Sequence, residues 1–436
     1  MSTIADLLGK QRHAFLQDGP PSLDQRRADL NALRRVVISH RSRIEQAVDT
    51  DFGGRSPNET ALLDLVGVVN AIDYLDRNLK HFMKPERRKV EALSQRGRAW
   101  VEYQPLGVIG ILSPWNYPFL LAMVPLATAL AAGNRAMLKT SELTPETSAL
   151  MKTMLAEAFP EEKVAVVLGD ASIGAEFSGS PFDHLFFTGS TDVGRQVMKA
   201  ASENLVPVTL ELGGKSPTII LPGHVIPKNV TSIVFGKLAN AGQTCVAPDY
   251  VFVHETEVDA FIDAFHKAVA QSYPDGLACR DYASIISEKH FSRLNQLLDD
   301  AVSKGAMLRR VGVETDAATR TRVFPPTLVI NPTEDMAVMQ EEIFGPILPV
   351  LSYRDVSQVI GYINERPRPL ALYVFGEADG DDCKAILSRT TSGNVGINNT
   401  VLHVAQDDLP FGGVGPSGMG AYHGIEGFRR MSHAKG

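Results

Sequence analysis

Two α/β halves, the first built on a doubly wound parallel sheet, are predicted by three features of the sequence. Five short segments, 108–112, 136–139, 164–168, 184–188 and 208–212, are apolar almost throughout. Helical patterns lie between them at 119–132, 144–158, 171–178 and 192–203. A second alternation of the same kind follows residue 213. Strands that are apolar on both faces and separated by helices belong to a parallel sheet covered on both sides, the architecture that binds nucleotides beyond its strand ends. At about 150 residues per domain, the length also suits two or three domains.

Taken in order, residues 22–50 and 57–83 read as two amphipathic helices. Ser22 is placed to cap the first, and Leu30, Leu33, Val36 and Val37 follow the helical period. Residues 100–103 are strand-like, and Pro105-Leu106-Gly107 punctuates the chain before the first apolar strand. In the second half, strands fit at 218–221, 250–253, 327–330, 347–351, 373–375 and 395–398, with helices at 226–240, 256–272 and 288–301. The boundary is expected near Gly213-Gly214.

Composition excludes several function classes. The 436 residues carry 43 Lys and Arg against 50 Asp and Glu, a net charge of −7. An acidic chain without a basic cluster lacks the phosphate-neutralising surface that a nucleic-acid partner requires. Cys245, Cys279 and Cys383 are too few and too scattered for a disulfide framework or a structural zinc site. No metal site is expected, and a cytoplasmic setting is. The charged N-terminus does not read as a secretory signal. Pro114, Asn116, Pro118 and Pro125 interrupt the most apolar stretch, 106–133, so no membrane partner is expected.

Four segments carry residue types that packing alone does not require. Ser113-Pro114-Trp115-Asn116-Tyr117-Pro118-Phe119 follows the first strand, where Asn116 can offer an amide N–H to a developing oxyanion or simply make a turn. Thr188-Gly189-Ser190-Thr191-Asp192-Val193-Gly194 joins a strand to a helix, either as a phosphate-facing turn or as a generic glycine turn. Glu211 lies between two leucines, a costly place for a carboxylate unless it acts as a base or pairs with Lys215. Cys245, among small and turn-forming residues, is either a nucleophile or an inert core thiol. Cys279 and Cys383 read as core.

These segments, together with Lys139-Thr140-Ser141-Glu142, Glu341-Glu342-Ile343-Phe344-Gly345-Pro346 and Pro410-Phe411-Gly412-Gly413, resemble the aldehyde dehydrogenase superfamily over about residues 100–420. The runs GQTCVAPDY, WNYPF and FGGVGPSGMGAYHG resemble its short class 3 branch, and within it the bacterial coniferyl aldehyde dehydrogenases. The resemblance implies Cys245 as nucleophile, Glu211 as general base and Asn116 as oxyanion donor beside the Cys245 N–H. It implies an NAD site, with NADP as the alternative, that uses Lys139 and Glu142 near the adenosine ribose. Gly189, Ser190 and Gly194 would form the turn facing the pyrophosphate, with Trp115 nearby; Thr188, Thr191 and Leu212 are also expected to bind the cofactor, and Glu342 and Phe344 to position the nicotinamide ribose and ring. Thr140 stands where the family usually has Pro.

The same resemblance implies an NAD(P)-binding domain at 1–212, a catalytic domain at 213–415 and a C-terminal oligomerisation tail at 416–436. Segment 87–105 joins that tail in a small β oligomerisation element of a homodimer. Coniferyl or a related aromatic aldehyde is the expected substrate, with a fatty aldehyde as the near alternative. Tyr117, Asn399, His403 and the loop before Pro410 would shape the entrance. A cysteine hydrolase is a distant alternative; it would need a His beside the thiol, and only His224 and His254 are near in sequence.

Overall fold

The computed structural model describes residues 3–91, 97–311 and 320–436. The part of segment 87–105 at 92–96 lies outside the described residues. One six-stranded sheet runs in the order Gly418–Met419, Val208–Glu211, His184–Thr188, Val108–Leu112, Arg135–Lys139, Val164–Val167. All pairings in it are parallel except that of Gly418–Met419, which is antiparallel. The expected five strands are therefore present, and their apolar character has a direct cause. Ile109 and Ile111 enter one cluster with the helix Leu120–Ala131, while Val108 and Leu112 enter another with Ile4, Leu7 and Leu8. Alternate side chains thus bury on opposite faces.

A second sheet of seven strands runs Met307–Arg310, Thr327–Ile330, Ile347–Tyr353, Tyr250–His254, Pro217–Ile220, Ala371–Phe375, Asn394–Ile397. Only its edge strand Met307–Arg310 is antiparallel. A three-stranded antiparallel sheet joins Glu86–Arg88, Ala99–Pro105 and Ser432–Lys435.

Several elements differ from the sequence expectation. The helix expected over 22–50 is two, Leu23–Ser39 and Arg41–Phe52, because the backbone turns at His40 (φ −99°, ψ 7°). The helix expected over 57–83 contains a π turn at Ala61–Leu65 between Pro57–Thr60 and Val66–Phe82. Helices not expected from the sequence are Ile4–Asp18, Val356–Asn364, Asp381–Arg389 and the shorter Ala337–Gln340 and Gly424–Arg430. The first carries a legible signal, a capping box between Thr3 and Asp6. The tail expected at 416–436 divides between two sheets and a helix. Gly418 pairs with Glu211, Leu212 donates its N–H to the Ser417 carbonyl (3.1 Å), and Phe428 in the helix Gly424–Arg430 packs 5.6 Å from Phe82. Only Ser432–Lys435 joins the small sheet. No helix among the described residues is long and apolar enough to cross a membrane.

Candidate active site

Parallel strands send their carboxyl ends to one edge of a sheet, so the loops after Leu112, Lys139, Thr188 and Glu211 leave the first sheet together. At that edge Ser190 caps the helix Thr191–Ser202, accepting from the Val193 N–H at 3.4 Å. Gly194 lies so close to Leu212 that a Cβ there would stand 2.6 Å from its Cδ2, which brings helix and strand end together. The Thr188 hydroxyl is buried without a partner, and Thr191 donates instead to the Pro416 carbonyl (3.1 Å). Lys139 donates to the Thr140 carbonyl (2.8 Å) and stands 3.7 Å from the Glu142 carboxylate; burial lowers its pKa. The result is an open, positively poised helix start beside a Lys and an exposed Glu, suited to a dinucleotide.

Across the cleft, the Trp115 ring stands 5.4 Å from Phe344 and 4.9 Å from His290. Sequence reasoning missed His290, which lies in no recognisable motif. The Glu342 carboxylate fills the space beside Gly213, where a Cβ would come within 2.1 Å of its Oε2. Burial, then Asp249, pushes the Glu342 carboxyl up to about 8.

Glu211 ends its strand buried, with neither carboxylate oxygen partnered, and burial holds its pKa well above the ordinary range. The ion-pair alternative fails because Lys215 is engaged elsewhere. It pairs with Asp249 and donates to the carbonyls of Val338 and Glu341, both at 2.9 Å.

The Cys245 loop is set by backbone geometry. After the helix Pro227–Leu238, Asn240, Ala241 and Gly242 all take positive φ (52°, 50° and 76°) and turn the chain sharply. Gln243 then anchors the loop, donating to the carbonyls of Asn240 (2.9 Å) and Ser284 (3.1 Å) and accepting from the Ile286 N–H (2.9 Å). Thr244 meets the Tyr117 hydroxyl at 2.7 Å, and Tyr373 donates to the Val246 carbonyl at 2.6 Å. Between these fixed neighbours the Cys245 thiol is half-buried. Burial, then the charges of Glu342 and Glu211, pushes it up to about 12. The preceding helix Pro227–Leu238 ends rather than begins before this loop, so its dipole does not favour a thiolate.

Asn116 is buried, and its Nδ2 donates to the Gln243 carbonyl at 3.1 Å, which leaves one amide hydrogen free. Asn116, Glu211 and Cys245 thus converge where the two sheets meet, and Glu342 faces the same thiol. A search against family models matches residues 12–436 to the aldehyde dehydrogenase family.

The chain belongs to the aldehyde dehydrogenase family.

A probable coniferyl aldehyde dehydrogenase of Pseudomonas aeruginosa is 50% identical over 100% of this chain and 90% of its own length. Among solved structures, the substrate-bound state of Staphylococcus aureus AldH superposes with a TM-score of 0.93 at 37% identity, covering 100% of this chain and 93% of that one. Mycobacterium tuberculosis aldehyde dehydrogenase complexed with NAD+ superposes with a TM-score of 0.88 at 28% identity, covering 100% and 90%.

In this aldehyde dehydrogenase the entrance region holds more aromatic residues than were singled out. Tyr117 is buried, while Asn399 turns back to the Ile397 carbonyl (2.8 Å). Phe411 stacks between His403 (6.0 Å) and His423 (5.2 Å). Burial lowers both imidazoles to about 4, so they stay neutral. Tyr422, whose ionisation is opposed by burial and then by Glu211 and Cys245, lay in a quoted motif without a role. His254 bonds to Thr256 at 2.8 Å in an exposed turn and serves no thiol. Among the described residues no group of three His, Cys, Asp or Glu could hold a metal ion.

Proposed function

We propose that this aldehyde dehydrogenase oxidises coniferyl aldehyde, or a related aromatic aldehyde, to the carboxylic acid through a covalent Cys245 intermediate, with NAD+ preferred over NADP+. One observation carries the reading: a buried carboxylate with both oxygens unpartnered, Glu211, acts electrostatically on the thiol of Cys245. On this reading residues 1–212 bind the cofactor and 213–415 carry the nucleophile. The P. aeruginosa relative supports the aldehyde class, and the M. tuberculosis complex supports the cofactor.

The residues present fit a dinucleotide. The unpartnered Thr188 hydroxyl, the capped helix start at Ser190, and Lys139 with Glu142 would hold the adenosine and phosphate end. An acidic Glu142 favours a free ribose hydroxyl over a phosphate, hence NAD+. Trp115, Phe344 and Glu342 would hold the nicotinamide end. Bound NAD+ supplies the two-electron acceptor for the hydride of the covalent adduct.

The chain's own groups do the rest. The Cys245 thiol first yields its proton toward Glu211, whose oxygens have no competing donor. The sulfur adds to the carbonyl carbon, and the oxyanion meets the free amide hydrogen of Asn116 and the Cys245 N–H. One such donor lowers a barrier by about 3 kcal/mol. Once oxidised, the adduct is an acyl-thioester on Cys245. Glu211 passes the thiol proton on to solvent, is again a carboxylate, and then takes a proton from the water molecule that attacks the thioester; a carboxyl with raised proton affinity suits that task near neutral pH. Trp100, exposed on the small antiparallel sheet, belongs to the face we assign to a homodimer, which sedimentation tests. Three free cysteines suit a cytoplasmic setting.

The test is an aldehyde panel of cinnamyl, benzyl and aliphatic members with both cofactors. The best kcat/KM falls to coniferyl aldehyde with NAD+. Glu211→Gln slows the NADH burst and slows steady turnover by a larger factor, and Cys245→Ala forms no NADH. An active Cys245→Ala variant overturns the mechanism, and a preference for long aliphatic aldehydes overturns the substrate.

A further inference from the structure

Behind the reacting groups lies a set of charged side chains that the mechanism does not use. Arg55 and Asp64 have no exposed surface at all, and they form an ion pair at 2.9 Å. Such a pair is expensive to desolvate, and apolar residues of equal volume are often as stabilising. Stability therefore gives no reason for it, and its remaining contacts do.

Arg55 donates through Nη1 to the backbone carbonyl of Asn116 at 3.1 Å, and its guanidinium lies 4.7 Å over the Tyr117 ring. The π turn at Ala61–Leu65 carries Asp64 at its inner side, where the Asp64 Oδ1 accepts from the Leu120 N–H at 2.9 Å. Asp64 and Arg55 thus hold the two ends of the 116–120 loop. The same Asn116 carbonyl also accepts from the Asn240 side-chain amide at 2.8 Å. Asn240 sits in the left-handed region, and its N–H is held by the Glu59 carboxylate. The contacts form a ring: Arg55 to Asn116, Asn116 to Asn240 and Gln243, and Asn240 to Glu59, three residues after Ser56 caps the short helix. That ring ties the oxyanion-donor loop to the nucleophile loop.

We infer that Arg55 and Glu59 are positioning residues that lock Asn116 and Cys245 into one rigid unit, setting the distance between the oxyanion donor and the attacking sulfur. The inference rests on the proposed roles of Asn116 and Cys245. Neither Arg55 nor Glu59 touches substrate. Their effect falls on the acylation step, because a misplacement of the order of an ångström between reacting groups costs about a hundredfold in rate.

The test is rapid-mixing measurement of the NADH burst in the full-length enzyme with saturating NAD+ and coniferyl aldehyde. Two variants are used. Arg55→Met with Asp64→Leu replaces both buried charges with apolar side chains of similar length, and Glu59→Leu removes the acceptor that holds the Asn240 N–H while leaving the ion pair. Both are expected to keep a full burst amplitude and wild-type affinity for NAD+, with a burst rate constant lower by about a hundredfold for the double variant and about tenfold for Glu59→Leu. A merely structural role lowers the amplitude and leaves the rate constant of the surviving sites unchanged, which overturns the inference. So does a wild-type rate constant in Glu59→Leu, which decides the matter if the double variant does not fold. Cys245→Ala runs alongside: if it still turns over, the mechanism fails; if it is dead while the Arg55 and Glu59 variants react normally, only this inference fails.

Discussion

The state of the Cys245 thiol before substrate arrives can be tested directly. Burial, reinforced by Glu342 and Glu211, takes it from the 9.0 of an ordinary thiol to about 12. At about pH 8 an ordinary thiol is roughly one tenth ionised and this one about one part in ten thousand, a thousandfold deficit. A more basic thiolate is also a better nucleophile, and a Brønsted slope of about 0.45 returns some twentyfold. The free enzyme should therefore react with an aromatic disulfide reagent about fiftyfold more slowly than an unhindered thiol. The assay is the pH dependence of thiol release, with the Cys245→Ala protein subtracted to remove Cys279 and Cys383, both buried. The logarithm of the rate should climb steadily through the alkaline range without levelling. Access scales every rate equally and cannot move the midpoint. A plateau with its midpoint below about pH 9 would refute the argument, because the charge and burial at this site could not then be as described.

Four further outcomes follow from the same geometry. Glu342→Gln removes a like charge facing the thiol, so the Cys245 titration moves to lower pH, read in the same assay. The Glu342 carboxyl is raised to about 8, so its contribution to stability is full below the unfolded carboxyl range and lost as pH rises through 8; the melting temperature of Glu342→Gln relative to wild type should rise between acidic and mildly alkaline buffer. Gly242→Ala combines a positive φ of 76° with a Cβ 2.4 Å from the Gly345 carbonyl oxygen, and neither backbone can retreat; urea unfolding should show a loss of about 3 kcal/mol. Glu142→Gln removes the acid nearest Lys139, so the ratio of kcat/KM for NADP+ over NAD+ should rise about tenfold.

Much of this protein is legible locally. Val108–Leu112 and its parallel neighbours read as strands because both faces bury, which leaves no polar alternation to obscure them. Cys245, Glu211 and Asn116 each sit in a short motif whose residue types already suggest chemistry. Weak local signals misled: the break at His40 has no Pro or Gly to announce it, and the π turn before Asp64 adds one residue without changing the apolar pattern.

What sequence alone determined was the pair of α/β halves and the family, since these depend on residues close together in the chain. Only the tertiary structure decided that Gly418–Met419 extends the first sheet beside Glu211, that Lys215 serves Asp249, and that Arg55 reaches the Asn116 carbonyl. It also decided that burial, with Glu342 and Glu211, opposes ionisation of the Cys245 thiol. Each of these depends on which groups are excluded from water together, and that is set by contacts between segments dozens to hundreds of residues apart, to which no local pattern of side chains is sensitive.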